Sequence, residues 1–128
     1  MKILIDTHTF LWFAQGSSKL SPQATELLED DENETLLSIA SIWEMQIKIK
    51  IGKLQLDVPL PELIASQQTT NELEILPIKL SHIWALDELP LHHKDPFDRL
   101  LIAQGIRENL PILSIDSSFD QYPGQRLW

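Results

Sequence analysis

Two short apolar runs, each closed by an aspartate and lying near opposite ends of the chain, constrain this sequence most. Residues 2–5 (KILI) end at Asp6, and residues 112–115 (ILSI) end at Asp116. A short apolar run bounded by a polar residue predicts a buried strand. Between them lie further short strands near Thr35–Ser38 and around Glu74–Leu76, and RLW at 126–128 predicts a last edge strand. Helical segments separate these strands. Ser21 before Pro22 has the form of an N-cap with proline in the first turn, opening a helix that reaches Glu29 or Asp30. Pro59 and Pro61 frame the start of another, through about Thr70, and Ser81 is placed to cap a short one ending at Leu86. Asp95 and Pro96 open the cleanest helix, over 95–108, with Leu100, Leu101 and Ile102 turned inward. Strands alternating with helices predict an α/β fold whose mostly parallel sheet is flanked by helices.

Segment 41–56 supports two readings. Ile47, Ile49 and Ile51 alternate with lysines as in a half-buried strand, and periodicity leans that way. Ile42, Met45 and Ile49 also share one helical face, with Gly52 fitting a helix C-cap.

At 128 residues the chain has the length of one domain, 1–128, and its 43% hydrophobic content is enough for a core without staples. It contains no cysteine, which excludes a disulfide framework, a thiolate nucleophile and a Cys-ligated metal. The longest hydrophobic run, Phe10 to Ala14, cannot span a bilayer, and Asp6 arrives too early for a secretory signal. A soluble cytoplasmic protein without membrane contact is expected. The net charge of −9 lacks the basic face of a duplex binder that works by counterion release, and suits metal ions or a basic protein partner better.

In open parallel sheets, ligands bind beyond the carboxyl ends of the strands. Asp6 and Asp116 are therefore candidates for one shared site, although either alone also reads as a turn or N-cap residue. Asp95 reads as the cap of its helix, and Asp98, at the third helical position, projects from the same end. Glu44 sits among Ile42, Trp43 and Met45; it faces solvent, or it faces the sheet edge and needs a cation to be buried.

Four strings, MKILIDTHTFLW, SIASIWEMQIK, HHKDPFDRLLIAQ and LPILSIDSSFDQYPGQRLW, resemble in order and spacing the PIN-domain proteins of the VapC-type toxin kind. The resemblance covers essentially the whole chain and decides the reading of 41–56 as a helix. It implies a PIN-like three-layer α/β/α sandwich and a Mg²⁺- or Mn²⁺-dependent endoribonuclease acting on RNA. It also implies silencing by a cognate antitoxin within a toxin–antitoxin pair, and a homodimer. Carried over position by position, the catalytic and metal-binding acids are Asp6, Glu44, Asp98 and Asp116. Asp95 is an additional acid that either joins the metal set or only caps. Ser114 stands where the family has a small hydroxyl residue, and Thr7 is placed to help hold the site.

Phosphodiester hydrolysis needs an activated water and neutralised charge at phosphorus, which divalent ions held by carboxylates supply. Two carboxylates 4 Å apart repel by about 4 kcal/mol at an effective dielectric near 20. Four convergent acids therefore call for a divalent counter-ion. Lys48, Lys50, Lys53, Lys94 and Arg99 are candidate RNA backbone contacts, although for each one singly a solvated helix face is the plainer reading. Trp12, Trp43, Trp84 and Phe119 could stack unpaired bases, but core or dimer packing is the plainer reading. His8, His82, His92 and His93 form no metal-binding pair and read as surface or structural, with His8 near the pocket rim.

Two other readings compete. An acidic Mg²⁺-binding phosphatase would carry Asp-x-Asp after the first strand, where position 8 is His, and a signalling receiver would carry adjacent acids there. A non-catalytic PIN-fold binding module would more readily have lost one of the four acids.

Overall fold

The computed structural model describes residues 1–128. Five strands, β1 (Lys2–Ile5), β2 (Glu34–Ser38), β3 (Glu74–Leu76), β4 (Ile112–Leu113) and β5 (Arg126–Leu127), form one sheet in the order β3-β2-β1-β4-β5. Every pairing is parallel; Leu4 stands opposite Leu36 on one side and Ile112 on the other. Strands buried on both faces need apolar side chains pointing both ways, and Lys2–Ile5 is buried from its second residue on. Ile3, Ile5, Leu37 and Leu113 pack on one face against α1 (Thr7–Ala14), α2 (Pro22–Glu29), α3 (Ile39–Lys50) and α4 (Leu60–Thr70). Leu4, Leu36, Leu76 and Ile112 pack on the other face against α6 (Pro96–Arg107), beside which lies α5 (Leu80–Leu86). The α/β/α sandwich is thus the observed architecture.

Segment 41–56 is helical through Lys50. The buried residues of α3, Ala40, Ser41, Glu44 and Met45, lie on a helical face, whereas Ile47, Ile49 and Ile51 are exposed. The alternating isoleucines never formed a buried stripe. Gly52, at φ +77°, ends α3 in a left-handed turn: its amide donates to Ile49 O at 3.2 Å and the Lys53 amide donates to Lys48 O at 2.8 Å.

Ser21 caps α2 by accepting from the Ala24 amide, as its position before Pro22 requires. The cap of α5 is not Ser81. The helix starts at Leu80, and His82, wholly buried, reaches back to accept the Lys79 amide at 3.0 Å. The strand order reverses direction between β1 and β4, so the crevice a parallel sheet offers to a ligand opens there. No helix is long and apolar enough to cross a membrane.

Candidate metal centre

Asp6 and Asp116 flank that crevice, each beyond the end of its strand, and each caps the turn that follows. Asp6 accepts the Thr9 amide through Oδ1, and Asp116 accepts the Ser118 amide and hydroxyl. The N-cap reading of both residues is therefore correct, and it leaves a second oxygen of each free for other partners. Ser114 joins the two: its hydroxyl donates to Asp6 Oδ2 at 2.6 Å and accepts the Asp116 amide at 3.0 Å.

Glu44 turns inward and is only 6% exposed. The Thr7 hydroxyl donates to its Oε1 at 2.7 Å, and the Lys48 ammonium, one helical turn on, pairs with its Oε2 at 2.9 Å. Burial of this carboxylate does come with a cation, supplied by the chain itself. Lys48 is accordingly paired with Glu44 while its side chain stays partly exposed.

Asp95 caps α6, its Oδ1 accepting the Phe97 and Asp98 amides. Asp98 follows in the first turn. Burial, and then the neighbouring Asp95 charge, raise the Asp98 pKa to about 7; His93 pulls it down, while Glu44 and Asp6 push it further up. One carboxyl thus feels Asp95, Glu44 and Asp6 together, so these acids share a neighbourhood. Asp116 behaves differently. Desolvation pushes its carboxyl up, but hydrogen bonds from Ser118 and His93 outweigh that and hold it below the usual range.

The tightest grouping of candidate ligand atoms is His93, Asp98 and Asp116, all within 4.8 Å of one another. Asp6, Glu44 and Asp95 lie outside it. His93 is a residue that sequence reasoning set aside as surface or structural. Its Nε2 sits 3.2 Å from Asp98 Oδ2 and 3.3 Å from Asp116 Oδ2, and its Nδ1 accepts the Asp95 amide at 3.2 Å. With Nδ1 occupied as an acceptor, the ring proton belongs on Nε2, which donates to the carboxylates. His93 is then a bridge between two acids; ligating an ion through Nε2 would move its proton onto Nδ1, against the Asp95 N–H.

The segment carrying His93 is tied down by Arg99, whose guanidinium donates to Pro90 O at 2.9 Å, Leu86 O at 3.2 Å and Leu89 O at 3.4 Å. Tyr122 adds to this by accepting the His93 amide and donating to Pro90 O. Arg99 is spent on this scaffold and is not a free nucleic-acid contact, which corrects one expectation. His82 is structural, its Nε2 2.8 Å from Glu108, and Phe119 is core, whereas Trp43 and Trp84 are exposed.

The donor set is oxygen-rich and lacks thiolates, which suits a hard divalent cation. The raised pKa of Asp98, caused first by its burial and then by its acidic neighbours, is what such a set does when protein groups alone must balance it.

Carboxylates gathered toward the carboxyl rim of a parallel sheet, Asp6 and Glu44 buried and Asp98 and Asp116 partly so, mark an acidic α/β protein. This chain belongs to the PIN-domain family, whose model matches residues 3–125. The fold is similar to a chain of the VapBC2 structure from Rickettsia felis bound to a promoter DNA fragment, with TM-score 0.75 and 16% identity, covering 99% of this chain and 98% of that one. It is also similar to FitAcB from Neisseria gonorrhoeae (TM-score 0.69, 14% identity, covering 100% and 97%). DNA-bound VapBC from Salmonella typhimurium gives TM-score 0.69 at 15% identity, covering 100% and 97%. No curated protein matches the chain.

Proposed function

We propose that the chain is a Mg²⁺- or Mn²⁺-dependent endoribonuclease, the toxin of a toxin–antitoxin pair, in which Asp6, Glu44, Asp98 and Asp116 hold the ion. The observation that carries this reading is the convergence of acids at the β1/β4 crevice. Ser114 ties Asp6 to the Asp116 amide, and Asp98 lies with Asp116 and His93 in a group whose candidate ligand atoms are all within 4.8 Å of one another. A bound divalent ion would supply charge neutralisation at the phosphate and a bound water easier to deprotonate than bulk water.

The chain's own residues do the rest. Ser114 and the Thr9 amide fix Asp6, and Thr7 and Lys48 fix Glu44. Lys48 also lowers the net charge that an incoming phosphate meets. His93 keeps a proton at Nε2 between Asp98 and Asp116, where it limits their mutual repulsion. Asp95 acts as the helix cap and tunes Asp98 through its charge rather than through shared ligation.

Two partners complete the reading. A basic antitoxin segment suits both the −9 charge and the likeness to chains solved in VapBC complexes. A second copy suits the exposed strip Ile39, Trp43 and Ile47, spaced one helical turn apart along α3.

The test is RNA cleavage by purified, antitoxin-free protein across a Mn²⁺ titration. Wild type is expected to cut and Asp6→Asn to lose at least about 100-fold, the scale on which electrostatic groups at a reacting centre matter. Wild-type protein that leaves RNA intact at every Mn²⁺ concentration ends the proposal.

A further inference from the structure

We propose that the cleft bounded by α1, the end of α3 and the turn after Gly52 is a nucleotide subsite, receiving one unpaired base of single-stranded RNA and its adjoining phosphate. This rests on the nuclease reading and specifies where the substrate lies.

The cleft measures about 240 Å³, below the 300–1,000 Å³ usual for drug-sized ligands, and so suits a single base. Its walls include Thr7, His8, Trp12, Gln15, Lys48 and Lys53, and no carboxylate lines it. Two lysines, Lys48 and Lys53, line it together. A larger cleft, of about 540 Å³, has the opposite character, walled by Glu29, Asp30, Asp31 and Glu72. A phosphate is repelled there and attracted here.

The cleft adjoins the carboxylate cluster directly. Two of its wall residues, Thr7 and Lys48, are the two hydrogen-bond donors to Glu44. The left-handed turn at Gly52 brings Lys53 back beside Lys48, with the Lys53 and Leu54 amides both donating to Lys48 O. Lys53 has no ion-pair partner, and neither does Lys19 on the far side of Trp12. A backbone leaving the cluster past Lys48 therefore meets, in the same cleft, an ammonium with no ion-pair partner.

Trp12 supplies the stacking surface. Its ring is held from three sides, by the Lys19 ammonium 5.7 Å from its centroid, by Trp128 edge-on at 6.0 Å, and by the His8 ring at 5.8 Å. A ring fixed in this way stacks a base at little entropic cost, and single-stranded RNA is recognised by such combinations of aromatic faces and cations. An acidic peptide would satisfy the lysines and leave the Trp12–His8 pair without a stacking partner.

The test uses the full chain and a single-stranded phosphorothioate RNA, read by fluorescence anisotropy in Ca²⁺, with gels confirming that the RNA stays intact. Trp12→Ala is expected to weaken binding about 5- to 150-fold, the span of base–aromatic stacking. Lys53→Ala is expected to flatten the slope of log affinity against log salt by about 0.7, and Lys53→Arg to restore it. Should Trp12→Ala fail to fold, the exposed Lys53 pair carries the test alone. Both variants binding and responding to salt as wild type does, while wild type still cuts RNA, would overturn the subsite and leave the nuclease standing. A polyglutamate peptide that competes at Lys53 without any loss in Trp12→Ala would reassign the cleft to an acidic protein segment and equally overturn it. Wild type that neither cuts nor binds RNA would remove the nuclease reading itself.

Discussion

Ser114 holds Asp6 by a 2.6 Å hydrogen bond from a wholly buried hydroxyl, and in the same position accepts the Asp116 amide. Ser114→Ala removes a buried bond to the Asp6 carboxyl group and leaves the Asp116 amide without this acceptor. We expect a loss of about 1.5–3 kcal/mol in urea unfolding in EDTA, the range for hydrogen bonds to charged groups. Mn²⁺ affinity measured by calorimetry should fall with it. Unchanged values on both counts would rule out a supporting role for this hydroxyl.

Asp98 sets a pH dependence of stability in the metal-free protein. Its folded pKa of about 7 lies above the ordinary 3.8. Between those values the native state binds a proton that the unfolded chain has released, so stability falls as pH rises through this window and is lowest above it. Its facing groups are Asp95, His93, Glu44 and Asp6, and the comparison with Asp98→Asn isolates its share. Melting in EDTA from pH 5 to 8 should show wild type declining more steeply than the variant. Millimolar Mg²⁺ should raise the wild-type Tm more at pH 8 than at pH 5, since ion binding must displace that proton. Equal slopes in the two proteins would remove Asp98 as the cause.

Arg99 is expected to matter through the segment it ties down rather than through RNA. Arg99→Lys keeps the charge but not the fork that reaches Leu86, Leu89 and Pro90 carbonyls. Limited proteolysis should become faster within residues 87–94, and cleavage of RNA should fall because His93 is no longer held. Proteolysis unchanged in this segment, with RNA affinity lost, would return Arg99 to the list of substrate contacts.

Glu108 contributes a second, opposite titration. Its hydrogen bond from His82 holds its carboxyl below the usual range, with Lys79 assisting. A depressed folded pKa stabilises the fold above the unfolded value, and that contribution is lost as pH falls through the folded one. Glu108→Gln should therefore be less stable than wild type at pH 7, with the gap closing toward pH 3. A gap that is constant with pH would mean packing, not charge, is responsible.

Much of this was legible locally, and the reasons are physical. Asp6 and Asp116 could be placed because a buried strand ended by an acid has one rim on which to put it, and Asp98 because Asp-Pro fixes where its helix begins. Glu44 was not decidable from its neighbours: burying it depends on Lys48 and on Thr7, the latter 37 residues away. Local periodicity pointed the wrong way at Ile47, Ile49 and Ile51, where lysine stems and a helix end leave isoleucines exposed. His93 had no local signal of the metal-pair kind. Its place between two acids is created by Arg99 and Tyr122 folding the segment back, although its lying five residues before Asp98 was a usable hint.

The first strand made ends in the middle of the sheet, and the partner on its far side comes almost last: Asp6 waits for a hydroxyl 108 residues downstream. At ribosomal speeds of about 5–20 residues per second that interval is roughly 5–20 s. A nascent chain therefore carries Asp6 and Glu44 for many seconds with no Ser114 or Asp116 to complete the rim. The rim is therefore complete only once translation has passed Asp116 and β4 has docked beside β1.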